Sequence, residues 1–225
     1  MTVTDVNVVK SAIFERPDDA NKGTLGSLLC VCGSYGMAGA AVMSAKGALR
    51  TGIGLAKCAL PRSIYPIVAQ TILESVYYPL SENADGRISK VNVPFLVSES
   101  CKSSATLVGC GLGVCDDTLK IVFSFIENST TPLVLDADAL NCVAKQPEIL
   151  LRKKAPIIIT PHPGEMSRLT GLATPLVNAE RERVALDFAQ KYGVVTVLKG
   201  AGTVIASPNG KVLVNPTGNS GMATG

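Results

Sequence analysis

The chain has 225 residues, of which 47% are hydrophobic, 17% charged and 4% aromatic. That length supports one domain able to bury a core without disulfide or metal staples, and the apolar fraction excludes disorder. With 21 basic and 18 acidic residues the formal charge is only +3, and no basic run occurs. Nucleic acid and an anionic membrane are therefore not expected as partners.

In chain order, Met1–Arg16 shows no basic stretch followed by an apolar one, so it does not read as a signal peptide. No apolar window is long enough to cross a bilayer, and a cytoplasmic location is expected. The first strand is read at Ser27–Cys32, followed by a glycine turn and a small-residue-rich helix at Ala38–Arg50. Further strands are read at Leu55–Leu60, Ala105–Gly109, Leu133–Leu135, Pro156–Thr160 and Val194–Leu198, with helices at Asp116–Glu127 and Pro175–Tyr192. In the last helix Thr174 serves as N-cap, Pro175 takes the first position and Gly193 is the left-handed stop. Thr203–Ala206 and Lys211–Val214 flank Pro208-Asn209-Gly210 and read as a hairpin.

The central strands are apolar almost throughout, as strands covered on both faces are. Strand and helix alternate along the chain, which predicts a single three-layer α/β/α sandwich over residues 1–225 with a mostly parallel sheet. The seven cysteines (Cys30, Cys32, Cys58, Cys101, Cys110, Cys115 and Cys142) are odd in number and lack C-x-x-C spacing. They read as reduced core thiols.

In an open α/β sheet, ligands sit beyond the carboxyl ends of the strands. Five segments lie there. Gly33-Ser34-Tyr35-Gly36-Met37-Ala38-Gly39-Ala40 and Gly109-Cys110-Gly111-Leu112-Gly113 suit either a close ligand approach or a tight turn. In Asp136-Ala137-Asp138-Ala139-Leu140-Asn141, Asp138 reads as the cap of the next helix, and Asp136 either binds neighbouring backbone, holds magnesium through water or positions a substrate hydroxyl. Thr160-Pro161-His162-Pro163-Gly164-Glu165 holds the one histidine between prolines; Glu165 caps a helix or reaches a magnesium-bound water. Lys199-Gly200-Ala201-Gly202-Thr203 offers a lysine and free backbone amides to phosphate, or is a plain hairpin approach.

Lys22-Gly23, GSYGMAGA, ALRTGIGL, VGCGLG, VLDADALN, TPHPGE, LKGAGT and NPTGNSGMATG, in this order, resemble the NAD(P)H-hydrate dehydratase family from Lys22 to the last residue. The resemblance implies a ribokinase-like fold and a lyase of nicotinamide-nucleotide repair. Such an enzyme dehydrates the S-epimer of hydrated NADH or NADPH at the expense of ADP or ATP, with Mg2+. It also implies that Ala40, Gly111, Gly113 and His162 border the hydrated nucleotide, and that Lys199, Gly200, Ala201, Gly202 and Thr203 meet the adenine-nucleotide phosphates. Asp136, Asn141 and Glu165 would support that region, with no direct metal ligand and Glu165 acting through water.

Two departures accompany the resemblance. Cys110 stands where the family has proline. The family's catalytic aspartate follows the MATG turn, so no residue of 1–225 is assigned as the base, and little turnover is expected of the chain ending at Gly225. A homo-oligomer is expected. A small-molecule kinase of the same fold and an inactive nucleotide-binding fragment are the competing readings.

Overall fold

The computed structural model describes residues 2–4, 9–10 and 16–222, so most of Met1–Arg16 and the final Ala223–Gly225 of the MATG turn lie outside the described residues. The chain divides into two compact units, Asp19–Ile157 and Met1–Asp18 with Ile158–Gly225. The strands are β1 (Thr2–Val3), β2 (Ser27–Val31), β3 (Leu55–Pro61), β4 (Val76–Leu80), β5 (Ala105–Val108), β6 (Leu133–Leu135), β7 (Ile157–Ile159), β8 (Val195–Leu198), β9 (Thr203–Ala206) and β10 (Val212–Asn215). The helices are α1 (Ala38–Arg50), α2 (Tyr65–Thr71), α3 (Val93–Cys101), α4 (Asp116–Asn128), α5 (Asp138–Val143), α6 (Pro163–Thr170), α7 (Thr174–Ala179) and α8 (Arg181–Tyr192).

In the Asp19–Ile157 unit the strands run in the order β6-β5-β2-β3-β4, every pair parallel. Successive residues of a strand point to opposite faces. Leu29, Cys30 and Val31 are nonetheless all at most 2% exposed, so both faces are covered. On one face Thr106, the partner of Leu29, hydrogen-bonds Ser100 of α3 at 2.9 Å, and Ser100 bonds Ser129 beyond α4 at 2.8 Å. On the other, Cys30 and Cys58 pack with Ala41 and Ala45 of α1 and Val68 of α2. Helices thus flank the parallel sheet on both sides, and this double burial is why the strand sequences are apolar runs.

The second unit carries a mixed sheet. β7 and β8 are parallel, β8–β9 and β9–β10 antiparallel, and β1 adds to β10 in parallel. The hairpin expected around Asn209 closes through Ser207 N–H donating to Lys211 O at 2.9 Å. Helix α8 lies on β8 and β9 with Val184, Ala185, Phe188, Ala189 and Tyr192 buried, and Gly193 ends it in the left-handed conformation at φ +63°.

The single helix expected at Pro175–Tyr192 is two helices. Glu180 leaves helical geometry at φ −124°, ψ 41°, and Thr174 is the first residue of α7, not its cap. The break starts α8 at Arg181, whose guanidinium reaches the carbonyl of Leu198 at 2.8 Å. Strand β4 was not foreseen because it contains Pro79; at the edge of the sheet the missing N–H costs no ladder bond.

Leu29 is fully buried in the central strand. Leu29→Ala is expected to cost about 2–5 kcal/mol through lost burial and an unfilled cavity. A urea titration measures this, and a cost well under 1 kcal/mol would contradict the double burial of β2.

Candidate functional site

Two stretches come together beyond the ends of β7 and β8. Lys199 N–H donates to Pro161 O at 2.8 Å, which sets the TPHPGE and LKGAGT segments side by side. His162 is the N-cap of α6, in extended geometry at φ −79°, ψ 168°. Its Nδ1 accepts from Gly164 N–H at 3.0 Å and from Glu165 N–H at 3.4 Å, so Nδ1 carries no proton in this arrangement. Glu165 reciprocates, its Oε2 accepting from His162 N–H at 2.8 Å. This is a capping box with histidine in the place usually held by serine or threonine.

Glu165 is also an electrostatic node. Its carboxylate is buried, with Lys199 Nζ 3.8 Å from Oε2 and His162 Nε2 3.4 Å from Oε1. A buried carboxylate without partners is costly, and among the described residues its partners come from these two segments. The side chains of His162 and Lys199 remain 51% and 41% exposed, so an imidazole and an ammonium face solvent from one buried anion.

Next in the chain, Thr203 Oγ1 donates to Gly200 O at 3.0 Å and accepts from Gly200 N–H at 3.3 Å, folding Gly200–Thr203 into a compact turn. Arg181 underlies it, donating to Leu198 O and, at 3.4 Å, to Gly202 O. Gly200 adopts φ +147°, a conformation that favours glycine, and a Cβ there would also stand 2.8 Å from Arg181 Nη1. Burial pulls the Arg181 guanidinium below its usual pKa, and its Nε is buried without a hydrogen-bond partner among the described residues. Arg181, Glu182, Ala201, Gly202, Val204 and Val214 border a hollow of about 520 Å³. Sequence reading missed Arg181, because its role depends on a turn 20 residues away that no local spacing reveals.

The Asp19–Ile157 unit holds the other candidates. Gly33 N–H donates to Cys110 O and Ser34 Oγ to Gly111 O, each at 2.8 Å, lacing the two glycine segments together. Gly111 adopts φ +65°, and a Cβ there would lie 2.7 Å from that of Ala40. Ala40 and Gly111 are therefore neighbours. Asp138 does not cap the helix it begins, since Ala137 holds the cap position without a side-chain bond. Its Oδ2 instead accepts from Gly113 N–H at 2.8 Å, because Gly113 brings an unpaired donor to it from a distant loop, while Asn141 donates to Oδ1 at 3.3 Å. Asp136 accepts from the Cys110 thiol at 3.6 Å. Among the described residues no group of three His, Cys, Asp or Glu side chains could hold a metal ion, and no helix is long and apolar enough to cross a membrane.

Removing the Glu165 side chain exposes the reciprocal cap to a direct test. Glu165→Ala is expected to cost about 0.5–2 kcal/mol, the range for losing a helix cap, whereas Glu165→Gln retains an acceptor for His162 N–H and should lose less. Thermal unfolding of both variants measures the difference; equal losses would contradict the capping role.

The profile of the NAD(P)H-hydrate dehydratase family matches residues 28–225. The bifunctional NAD(P)H-hydrate repair enzyme Nnr of Thermofilum pendens is 40% identical over 209 residues, 93% of this chain and 40% of that enzyme. The ADP-dependent (S)-NAD(P)H-hydrate dehydratase of Bacillus subtilis is 32% identical over 219 residues, 96% of this chain and 73% of that one. The chain thus spans about 40% of the length of the bifunctional relatives it matches. Among solved structures, the Bacillus subtilis ADP/ATP-dependent NAD(P)H-hydrate dehydratase co-crystallised with ATP and Mg2+ superposes with a TM-score of 0.83 at 30% identity, covering 100% of this chain and 76% of that one. A ribokinase-like superfamily protein of Enterococcus faecalis, at 21% identity and a TM-score of 0.83, shares the fold. With the expected ribokinase-like α/β architecture and a match over nearly its whole length, the chain belongs to the NAD(P)H-hydrate dehydratase family.

Proposed function

We propose that this chain serves nicotinamide-nucleotide repair, binding the S-epimer of hydrated NADH or NADPH and an adenine nucleotide, ADP or ATP, for dehydration of the former. The observation that carries the reading is the Glu165 node, which gathers His162 and Lys199 at the adjoining ends of β7 and β8. Hydroxide leaves a reduced pyridine ring poorly, whereas a phosphate ester leaves readily once the ring nitrogen lone pair pushes. The ring hydroxyl oxygen therefore takes the terminal phosphoryl group of ADP or ATP, releasing AMP or ADP. The C–O bond then breaks, phosphate departs and the neighbouring carbon loses a proton to restore the double bond.

In this reading Lys199 and the Gly200–Thr203 turn hold the phosphates, the lysine by point charge and the turn by its backbone. His162 contacts the hydrated nucleotide, as do Ala40, Gly111 and Gly113 through the close backbone approach that small residues allow. Glu165, Asp136 and Asn141 position these groups and do not themselves react. Mg2+ is assigned to the nucleotide phosphates, with Glu165 reaching it through water. No residue of 1–225 is given the role of general base. A cytoplasmic location and a homo-oligomer belong to the same proposal.

The division of roles has a binding test. His162→Ala is expected to weaken NADPH binding about tenfold, roughly 1.4 kcal/mol, with a smaller effect on AMP; Lys199→Ala should do the reverse. Calorimetric titration of both variants with both ligands reads this out, and equal losses for both ligands would overturn it. Incubation with hydrated NADH, Mg2+ and ADP or ATP tests the chemistry: recovered NADH absorbance supports the lyase. Phosphorylation of an alcohol other than hydrated NADH, with no NADH formed, would favour the small-molecule kinase.

A further inference from the structure

Four of the seven cysteines gather at one place in the Asp19–Ile157 unit. Cys30, Cys32 and Cys58 are buried together on the α1 face of the sheet, and Cys110 packs against them while staying partly exposed. β2 and β5 are parallel neighbours with Val31 opposite Val108. Their pairing continues past the strand ends, Gly109 N–H donating to Val31 O at 3.2 Å and Gly33 N–H to Cys110 O at 2.8 Å. Cys32 lies between those two bonds. The bond from Gly33, its neighbour in the chain, to Cys110 O brings the two cysteine-bearing segments side by side, as a disulfide needs. Cys32 belongs to the buried cluster against which Cys110 packs, and the two thiols and Ser44 lie near enough to influence one another's ionisation.

These neighbours divide the labour of the pair. Cys32 and Ser44 hold the Cys110 pKa below the ordinary thiol value, against burial and the Asp136 carboxylate to which the Cys110 thiol donates. The neighbouring Cys110, together with burial, pushes the Cys32 thiol up. Cys30 is pushed up by burial, and Cys142 by burial to about 11. A partly exposed sulfur next to a buried thiol partner is the arrangement in which oxidation stops at a disulfide.

We propose that Cys110 and Cys32 form a peroxide-responsive thiol pair, with Cys110 as the attacked sulfur and Cys32 as the resolving one. The Cys110 thiolate attacks one oxygen of hydrogen peroxide, the O–O bond breaks, and the departing hydroxide takes up the thiol proton as water, leaving a sulfenic acid. The Cys32 sulfur then attacks the Cys110 sulfur, the S–O bond breaks, and the hydroxyl leaves with the Cys32 proton as a second water. Two thiols and one peroxide give one disulfide and two waters, the sulfurs supplying both electrons. Gly111 follows Cys110 directly, so the bond is a covalent clamp on the turn that meets Ala40. Its formation does not depend on the proposed catalytic activity.

The test uses the whole chain treated with one equivalent of hydrogen peroxide, blocked with N-ethylmaleimide and digested with trypsin. The expected product is an intramolecular link between the peptides Gly23–Lys46 and Ser103–Lys120, located by fragmentation to Cys32 and Cys110. Cys115→Ser should keep the link, Cys110→Ser should abolish it, and Cys32→Ser should leave a Cys110 sulfenic acid that dimedone traps. The wild-type peptide map stands without any variant. A link through Cys30 or Cys115, a disulfide between two chains, or full maleimide labelling of Cys110 after peroxide would each overturn the proposal.

Discussion

Hydrogen bonds that prolong the parallel ladders past the ends of their strands govern everything else described for this chain. In the Asp19–Ile157 unit the bonds Gly109–Val31 and Gly33–Cys110 carry the β2–β5 pairing into the loops, and Asp136 N–H to Val108 O does the same between β5 and β6. In the second unit Lys199 to Pro161 repeats the device between β7 and β8. Parallel strands deliver their following loops to the same edge, so these bonds place residues distant in sequence shoulder to shoulder. The laced loops are glycine-rich because adjacent backbones leave no room: a Cβ on Gly109 would lie 1.9 Å from Asp136 O.

That constraint explains which parts of the molecule were legible in the sequence. Strands β2, β3, β5, β8 and β9 were readable because burial on both faces, or on the covered face, leaves uninterrupted apolar runs. The chemical segments were readable because strand-end residues in this architecture form short, ordered motifs. The break at Glu180 was not, since one non-helical residue leaves the apolar periodicity of α8 intact. Asp138 was misassigned for a related reason. Local spacing offers it the amides of its own helix, whereas its strongest donor, Gly113, arrives from 25 residues away. Arg181 was invisible on the same grounds, as was the convergence of Lys199 and His162 on Glu165.

The carboxylate of Glu165 also limits what this site can do electrostatically. Oε2 already accepts from His162 N–H and faces the Lys199 ammonium, while Oε1 faces His162 Nε2. Its acceptor capacity is largely committed to protein groups, so it suits holding two side chains in place better than carrying a metal by itself. The ammonium of Lys199, for its part, is shared with a buried anion. A phosphate arriving at the Gly200–Thr203 turn therefore meets a cation whose charge is partly countered from below, and it competes with Glu165 for that charge. At a half-exposed position solvent screens this competition, which tempers both the attraction of phosphate and its penalty. In the proposed assignment, a phosphate bound at Lys199 would be linked to a ligand at His162. With Nδ1 accepting from two backbone amides, only Nε2 is left to change partners, and any ligand group it binds draws it away from Oε1 of Glu165. Freed of that contact, the carboxylate would be left to hold Lys199, so the two proposed ligand positions share one buried anion.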